Sequence, residues 1–380
     1  MLLRRCAVLY CEPRETLALD LQALLSGDGA LAAQIAWVAL APHIGAELEL
    51  DAAGLAALGA IGPSLWLERS DCERRHGAAA IATLLERGLL VGDDAVHAHW
   101  RARDEALRAA HWRPLSAAAH IFSRWQDVRG DKGQRFPTFN DLVQRFGPPP
   151  SATVEHGPSE AAIALPAPQA GPLDATLLQR YTGRHYDAGA TLPLATAARL
   201  LQRTFGAQQT RTMMPGADAL KKTSPSGGGL HPVEAYVLAQ RVDGVAPGLY
   251  HYHPQRHQLE PMRLMPAAEL HTLALSAVAD QDWFADAPLL VALVARVERT
   301  FWKYRDHAKA YRVLQLDAGH LSQTFYLLAT EAGLPAFVTA GMNEVNLEQA
   351  FGFDPLRQAV LAIGGCGPAA AGPSPVTEFR

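Results

Sequence analysis

Residues 147–172 hold seven Pro and three Gly in 26 positions, and no aromatic side chain. Proline fixes φ and removes a backbone donor, and a stretch without large apolar side chains has little to bury. These residues cannot build a core, and the composition predicts an extended linker. It divides the 380-residue chain into 1–146 and 173–380, two pieces of ordinary domain size. Neither piece shows a repeat of fixed period.

Composition removes several function classes. Apolar residues make up 49% of the chain and charged residues 19%, as in globular domains with large cores. The longest glycine-free apolar run, 287–295, is about half the ~18 residues a membrane helix needs. The apolar patch after Arg4 and Arg5 stops at Glu12, short of a secretory signal, so no membrane is expected as partner and the expected location is the cytoplasm. Residues 1–150 carry 16 basic and 18 acidic side chains, and the rest carry 18 and 20. Binding phosphates along a duplex requires a basic excess, so nucleic acid is not expected as a partner. Cys6, Cys11, Cys72 and Cys366 lack paired metal-ligand spacing; they read as buried thiols, and no metal site is expected.

Before the linker, Leu2–Tyr10 reads as a strand, Glu15–Leu25 as an amphipathic helix, and Ala52–Ala60 and Gly77–Glu86 as helices. The stop at Gly88, the apolar Leu89-Leu90-Val91 and the acidic turn at Asp93-Asp94 suggest a strand, a turn and a second strand. A winged helix ends this way, so 1–146 is expected to be winged-helix-like. Without a basic face, it suits peptide or partner binding, or plain scaffolding. Trp100, Trp112 and Trp125 read as core or interface anchors.

After the linker, Leu173–Tyr181 and Leu194–Thr204 are expected as helices and Ala235–Gln240 as a strand. Residues 248–260 read as a hairpin turning at His253-Pro254-Gln255-Arg256, and Leu289–Val294 as a buried strand. The helix expected over Leu314–Ala332 has apolar residues around most of its circumference, which predicts burial nearly all round and a subunit interface. Ala336–Thr339 and Ala359–Ile363 complete a small antiparallel sheet, so the class is α+β.

Three segments could carry chemistry. Arg180-Tyr181-Thr182-Gly183-Arg184 can grip a phosphate from several sides, or simply end a helix in solvent. Pro225-Ser226-Gly227-Gly228-Gly229 exposes backbone N–H groups that a flat ligand or an anion can approach, or is an ordinary flexible loop. It lacks the Lys-Ser/Thr of a Walker loop, and Ser226 with His231 lacks a nucleophile elbow. In Phe301-Trp302-Lys303-Tyr304, one of only five lysines in the chain lies between aromatics expected to desolvate it toward use as a base; otherwise it is a surface lysine. Two patterns are set aside. Gly365-Cys366-Gly367 leaves no room for the rest of a dinucleotide fold. His251, His253 and His257 fall on a hairpin and are expected in solvent.

Taken in order, these segments resemble the flavin-dependent nitroreductase superfamily, and within it the SagB-type dehydrogenases that oxidise azolines in ribosomally made peptides. The resemblance rests on Arg180 to Tyr186, on Pro225 to Tyr236, on Pro247 to Tyr252 and on Lys303-Tyr304. Tyr311-Arg312, Asp317 to Gln323, and Gly333-Leu334 leading to Gly341 continue it. It implies an FMN-binding α+β fold over 173–380 and a homodimer with the cofactor between protomers. It implies that Arg180, Thr182 and Arg184 hold the FMN phosphate. Pro225, Ser226, Gly227 and Gly228 would approach the isoalloxazine, and Ala340 and Gly341 would lie near flavin N5. Lys303 and Tyr304 match the acid/base pair of azoline oxidases. The implied partners are a precursor peptide and a cyclodehydratase or other modification enzyme.

The sequence departs from the pattern in two places. Where many nitroreductases carry a basic residue for the phosphate, the last strand here runs into Gly364-Gly365-Cys366-Gly367, so the phosphate grip leans on the first arginine pair with help from Lys221 or Lys222. Relatives often have a proline shortly before the glycine matched by Gly341, and Val338-Thr339-Ala340 offers none. Two other readings use the same residues: an NAD(P)H-dependent reductase of small molecules, and a non-catalytic flavin-fold scaffold in a peptide-modification complex.

Overall fold

The computed structural model describes residues 1–19, 25–26, 31–130, 139–154, 157, 162–372 and 374. The first elements are β1 (Leu2–Arg5), β2 (Tyr10–Leu19), β3 (Leu31–Leu40), β4 (Glu47–Leu50), α1 (Ala52–Ala60), β5 (Leu67–Glu68) and α2 (Arg69–His76). They continue as α3 (Ala78–Glu86), β6 (Leu90–Gly92), α4 (Ala98–Ala109), α5 (Pro114–Phe122), α6 (Phe139–Phe146) and α7 (Asp174–Gln179). Next come α8 (Leu194–Phe205), β7 (Gln209–Met214), β8 (Ala217–Lys221), β9 (Val233–Ala239), β10 (Gly248–His253), β11 (Gln258–Leu264) and α9 (Ala267–Ala277). The last are α10 (Asp282–Ala285), β12 (Leu289–Arg296), α11 (Val297–Lys303), α12 (Ala310–Glu331), β13 (Ala336–Thr339), α13 (Glu344–Phe351) and β14 (Gln358–Cys366).

Contacts divide the chain into two compact units that interleave in sequence. The first takes Met1–Arg124 together with Arg296–Leu314 and Asp354–Ala359; the second takes Trp125–Ala295, Gln315–Phe353 and Val360–Arg380. The described residues of 147–172 are exposed and carry neither helix nor strand; 155–156 and 158–161 lie outside the described residues.

In the first unit, α1, α2 and α3 pack Leu58, Ile81, Leu84 and Leu85 with Leu3, Leu89 and Leu90. Helix α1 starts where the sequence places it because the Asp51 side chain accepts from the Gly54 N–H at 2.6 Å. The returning strand expected after Asp94 is absent. Asp94 instead accepts from the N–H and the ring of His97 at 3.0 and 2.7 Å, and α4 begins there. The sheet is completed from the other end of the sequence, in the order β5-β1-β6, with Arg5 opposite Leu90. The helix expected over Glu15–Leu25 is also corrected. Residues up to Leu19 are strand β2, paired antiparallel with β3 from Tyr10↔Leu40 to Leu19↔Leu31, while 20–24 lie outside the described residues. Ten consecutive pairs with a β-rich partner outweigh a weak helical spacing.

Residues 296–314 and 354–359 join this unit through an aromatic cluster. The buried Trp112 ring meets Phe301 edge-on at 4.8 Å and stacks on His120 at 5.4 Å, and its Nε1 donates to the Leu356 carbonyl at 2.8 Å. His120 also hydrogen-bonds the Tyr311 hydroxyl at 3.2 Å and the Pro355 carbonyl at 3.0 Å.

The second unit is α+β, as expected, built on a six-stranded sheet in the order β11-β10-β9-β12-β14-β13. Seven of the eight residues of β12 are buried, which explains its uninterrupted apolar run. The glycine pattern at the end of β14 has a packing cause. A Cβ on Gly365 would lie 2.6 Å from the Phe337 ring, so glycine is needed where β13 and β14 pass. Helix α12 buries one stripe, Leu314, Ala318, Leu321, Phe325 and Ala329, whereas Leu316 is 56% exposed. Burial all round is therefore not reached within one chain. His251, expected in solvent, is corrected too: it lies half-buried between Glu234 on β9 at 2.9 Å and Glu260 on β11 at 3.1 Å.

No described helix is long and apolar enough to cross a membrane, and no group of His, Cys, Asp and Glu among the described residues has a metal-holding arrangement. Burial raises the Cys6 and Cys366 thiols to about 12.

Candidate active site

Helix α12 is the spine of the site. Asp317 and Thr324 are seven residues apart and share one face of it; Tyr326 projects from another. Two cofactor-type segments attach to that helix, one on each side, and a third joins through Tyr326.

The glycine segment attaches to the first face. Ser224 shares a 2.7 Å hydrogen bond with Thr324. Ser226 donates its hydroxyl to Asp317 Oδ2 at 2.5 Å, and the Gly227 N–H donates to Oδ1 at 3.0 Å. Asp317 is 3% exposed, so these bonds satisfy a carboxylate that solvent scarcely reaches. A short turn over Gly227–Gly229 follows, with Gly228 at φ 68°, a left-handed conformation that glycine adopts without strain. The Ser226 oxygen in turn accepts the His231 N–H at 2.9 Å, and His231 itself sits at φ 47°, uncommon outside glycine. Lys222, Pro225, Ser226, His231, Val233, Asp317 and Leu321 line a narrow crevice, and Lys222 is 3% exposed.

The arginine segment follows α7. Arg180 ends that helix and places its guanidinium 5.4 Å from the centre of the Tyr326 ring. The Thr182 hydroxyl lies 3.2 Å from the Tyr326 hydroxyl, and the Gly183 N–H donates to the Ala336 carbonyl at 2.9 Å. Arg184 folds back to the Thr182 carbonyl at 3.3 Å. The Tyr326 hydroxyl also accepts the Val338 N–H at 2.9 Å, which ties in the third segment, 336–341. There the Gly341 carbonyl accepts from Gln281 Nε2 at 2.7 Å, and its N–H donates to Thr339 Oγ1 at 2.9 Å. The N–H of Gly341, a residue expected near flavin N5, is thus engaged within its own turn.

Arg180, Thr182, Arg184, Pro225, Ser226, Gly227, Gly228, Ala340 and Gly341 therefore all lie in the second unit, on segments tied to α12 directly or through Tyr326. Lys303 and Tyr304 belong to the first unit. The expected desolvation of Lys303 is corrected: Phe301 turns into the core at 1% exposure, Trp302 is 67% exposed, and Lys303 is exposed with its amine 5.4 Å from the Tyr304 ring centre. Helical geometry sends neighbouring residues to different sides, so aromatics next to a lysine in sequence need not cover it. Thr324, Tyr326 and Gln281 carry the site without having been singled out by sequence, and Asp317 enters only as the first residue of the 317–323 motif, with no role assigned to it. Only Asp317 leaves a trace there, as a lone acid within the apolar stripe Leu314–Leu321.

Tyr326→Phe keeps the ring under Arg180 but removes the partner of Thr182 and of the Val338 N–H. It is expected to cost about 1–3 kcal/mol in urea unfolding, the usual penalty for leaving a backbone donor unpaired; a change below ~0.5 kcal/mol would show that the hydroxyl holds neither segment.

The residues fit a flat, phosphate-bearing cofactor. Gly228 and Gly229 are exposed bare backbone, a Cβ built on Gly229 would meet nothing within 4 Å, and a buried lysine lines the adjoining crevice. Of the two lysines expected to help the arginines, Lys222 is buried and Lys221 is exposed.

Comparison with known proteins gives consistent matches. The Nitroreductase family profile matches residues 177–367. A protein of Methanocaldococcus jannaschii named as a nitroreductase is 33% identical over 172 residues, 45% of this chain and 80% of that protein. The trifolitoxin-processing protein TfxB of Rhizobium leguminosarum bv. trifolii is 27% identical over 172 residues, 45% of this chain; the chain spans 46% of that protein's length. Among solved structures, a chain of the Escherichia coli microcin synthetase McbBCD complex with truncated pro-MccB17 bound matches with a TM-score of 0.51 at 18% identity. That match covers 70% of this chain and 97% of the other, and at this identity it speaks for the fold.

Proposed function

Since the chain belongs to the nitroreductase family, we propose that it is an FMN-dependent dehydrogenase that oxidises a ribosomally made precursor peptide, converting an azoline ring to an azole. The observation that carries this reading is the attachment of the three cofactor-type segments to the one helix, with the Lys222 crevice beside the bare glycine turn. The name of the trifolitoxin-processing relative supports the peptide as the substrate class.

Arg180, Thr182 and Arg184, with Lys222, hold the phosphate and polar edge of the cofactor. Pro225, Ser226, Gly227 and Gly228 form the ledge beside its ring, and Ala340 and Gly341 close the far side. When bound, FMN supplies the two-electron acceptor that takes hydride from Cβ of the azoline. Lys303 removes the Cα proton, and Tyr304 holds the amine in place and shares that proton. These two are assigned by their place in the motif. A modification enzyme that forms the azoline, such as a cyclodehydratase, supplies the substrate, and a second copy of the chain covers the Leu316 side of α12.

Two measurements test the reading. The purified protein should show a flavin absorption band, with released cofactor of FMN mass. With an azoline-containing precursor peptide, it should remove two hydrogens per ring by mass spectrometry. Rapid flavin reduction by NAD(P)H with no peptide oxidation would favour a small-molecule reductase. A colourless protein that takes up no FMN would leave only a scaffold.

A further inference from the structure

We propose that Asp317 is a positioning residue that fixes Ser226 as a hydrogen-bond acceptor, never a donor, toward the bound cofactor. The inference rests on the FMN reading above and goes one step beyond it, to the polarity of a single contact.

A serine hydroxyl has one hydrogen to donate and two lone pairs to accept. In Ser226 the hydrogen goes to Asp317 Oδ2 at 2.5 Å, and one lone pair takes the His231 N–H at 2.9 Å. One lone pair is left. Asp317 cannot release the hydroxyl at low cost, because it is 3% exposed and an ionised carboxylate only accepts. Its other oxygen holds the Gly227 N–H at 3.0 Å, so the same residue fixes both the direction of the serine and the path of the backbone after it. Ser226 and Asp317 both line the crevice beside the glycine turn. Any contact between Ser226 and a ligand there must run from an N–H or O–H of the ligand to the serine oxygen. An oxidised flavin ring carries one N–H, at N3 on its polar edge, and gains another at N5 on reduction, so an acceptor is a chemically suitable neighbour.

Asp317→Asn reverses the polarity. The amide N–H would donate to the serine oxygen, while its carbonyl keeps the Gly227 bond, and the serine hydrogen would turn toward the crevice. The test is a double-mutant cycle on the full-length protein, reading FMN dissociation constants by fluorescence quenching and the visible band of the bound flavin. Asp317→Asn is expected to weaken FMN about tenfold and to shift the band; in a Ser226→Ala background the same change should alter affinity less than about twofold and leave the band in place. Adding Ser226→Thr instead, which restores a hydroxyl, should restore the tenfold effect.

Equal losses in both backgrounds would overturn the role given to Asp317, because a merely structural effect does not depend on the serine. If Asp317→Asn does not fold, the serine pair decides: Ser226→Thr should hold FMN within about twofold of the native protein and Ser226→Ala should lose about tenfold, and equal affinities would overturn the proposal. Failure of the native protein to bind FMN at all is a separate result. It would overturn the cofactor reading and this inference with it.

Discussion

Lys303→Ala is expected to keep its FMN and to slow peptide dehydrogenation by about 10²–10⁴-fold, the usual worth of a positioned general base. The segments assigned to the cofactor, at 180–184, 225–228 and 340–341, are anchored through Asp317, Thr324, Tyr326 and Gln281, so removing the Lys303 side chain breaks none of those bonds. What disappears is the group proposed to take the Cα proton. A base must be unprotonated, and in the chain by itself Lys303 is exposed, with its amine 5.4 Å from the centre of the Tyr304 ring. The bound peptide is therefore assigned the covering role that the neighbouring aromatics do not fill. Lys303→Arg separates base from charge: it keeps the cation but cannot act as a base, and should be as slow as the alanine variant. Stopped-flow bleaching of the flavin by an azoline peptide reads both variants. Turnover within about twofold of native in the alanine variant would remove Lys303 from the chemistry.

The second large effect is on stability, and it is confined to acid. His120 is enclosed by Trp112, Tyr311 and the Pro355 carbonyl. Burial, reinforced by the nearby Arg124 charge, lowers its pKa to about 4. The folded state thus binds its proton later than the unfolded chain does. Its contribution is complete above the ordinary histidine value of about 6.5 and is lost as pH falls through 4. With its pKa lowered to about 4, the loss across that window is of order 3 kcal/mol. His120→Gln removes the titration, so the stability gap between native and variant should shrink by about 3 kcal/mol between pH 7 and pH 4 in urea melts. A constant gap would show that His120 is not the group responsible.

His251 works in the opposite sense. Burial disfavours its charge, but hydrogen bonds to Glu234 and Glu260 more than offset this and raise its pKa. Its stabilisation is present below the ordinary histidine range and fades as pH rises through the raised value.

Regular elements were legible wherever pattern and punctuation agreed. The span of α1 follows from a capping aspartate and an apolar run, β12 from an uninterrupted apolar stretch, and the β10–β11 hairpin from its turn residues. The segments of the site were legible as motifs, because glycines, arginines and a rare lysine are conspicuous. What joins them was not. Asp317, Thr324 and Tyr326 are spaced along a helix whose pattern reports only which face is apolar, and their partners lie 12 to 144 residues away. The strand that replaces the expected helix at Glu15–Leu19 exists through its pairing with β3, a contact that no local window contains. Lys303 and His251 failed for one shared reason: sequence neighbours do not determine which side chains end up around a residue.

Trp112 has a consequence for anyone who would dissect this protein. The linker invites a cut, and a fragment starting near 173 would keep every motif from Arg180 to Gly341. Yet Phe301 packs on Trp112, Tyr311 bonds His120, and the Asp306 N–H donates to the His111 carbonyl. The stretch that carries Lys303 is a tenant of the amino-terminal unit. An enzyme trimmed at the linker would inherit the proposed flavin ledge and leave behind the walls that hold its proposed base.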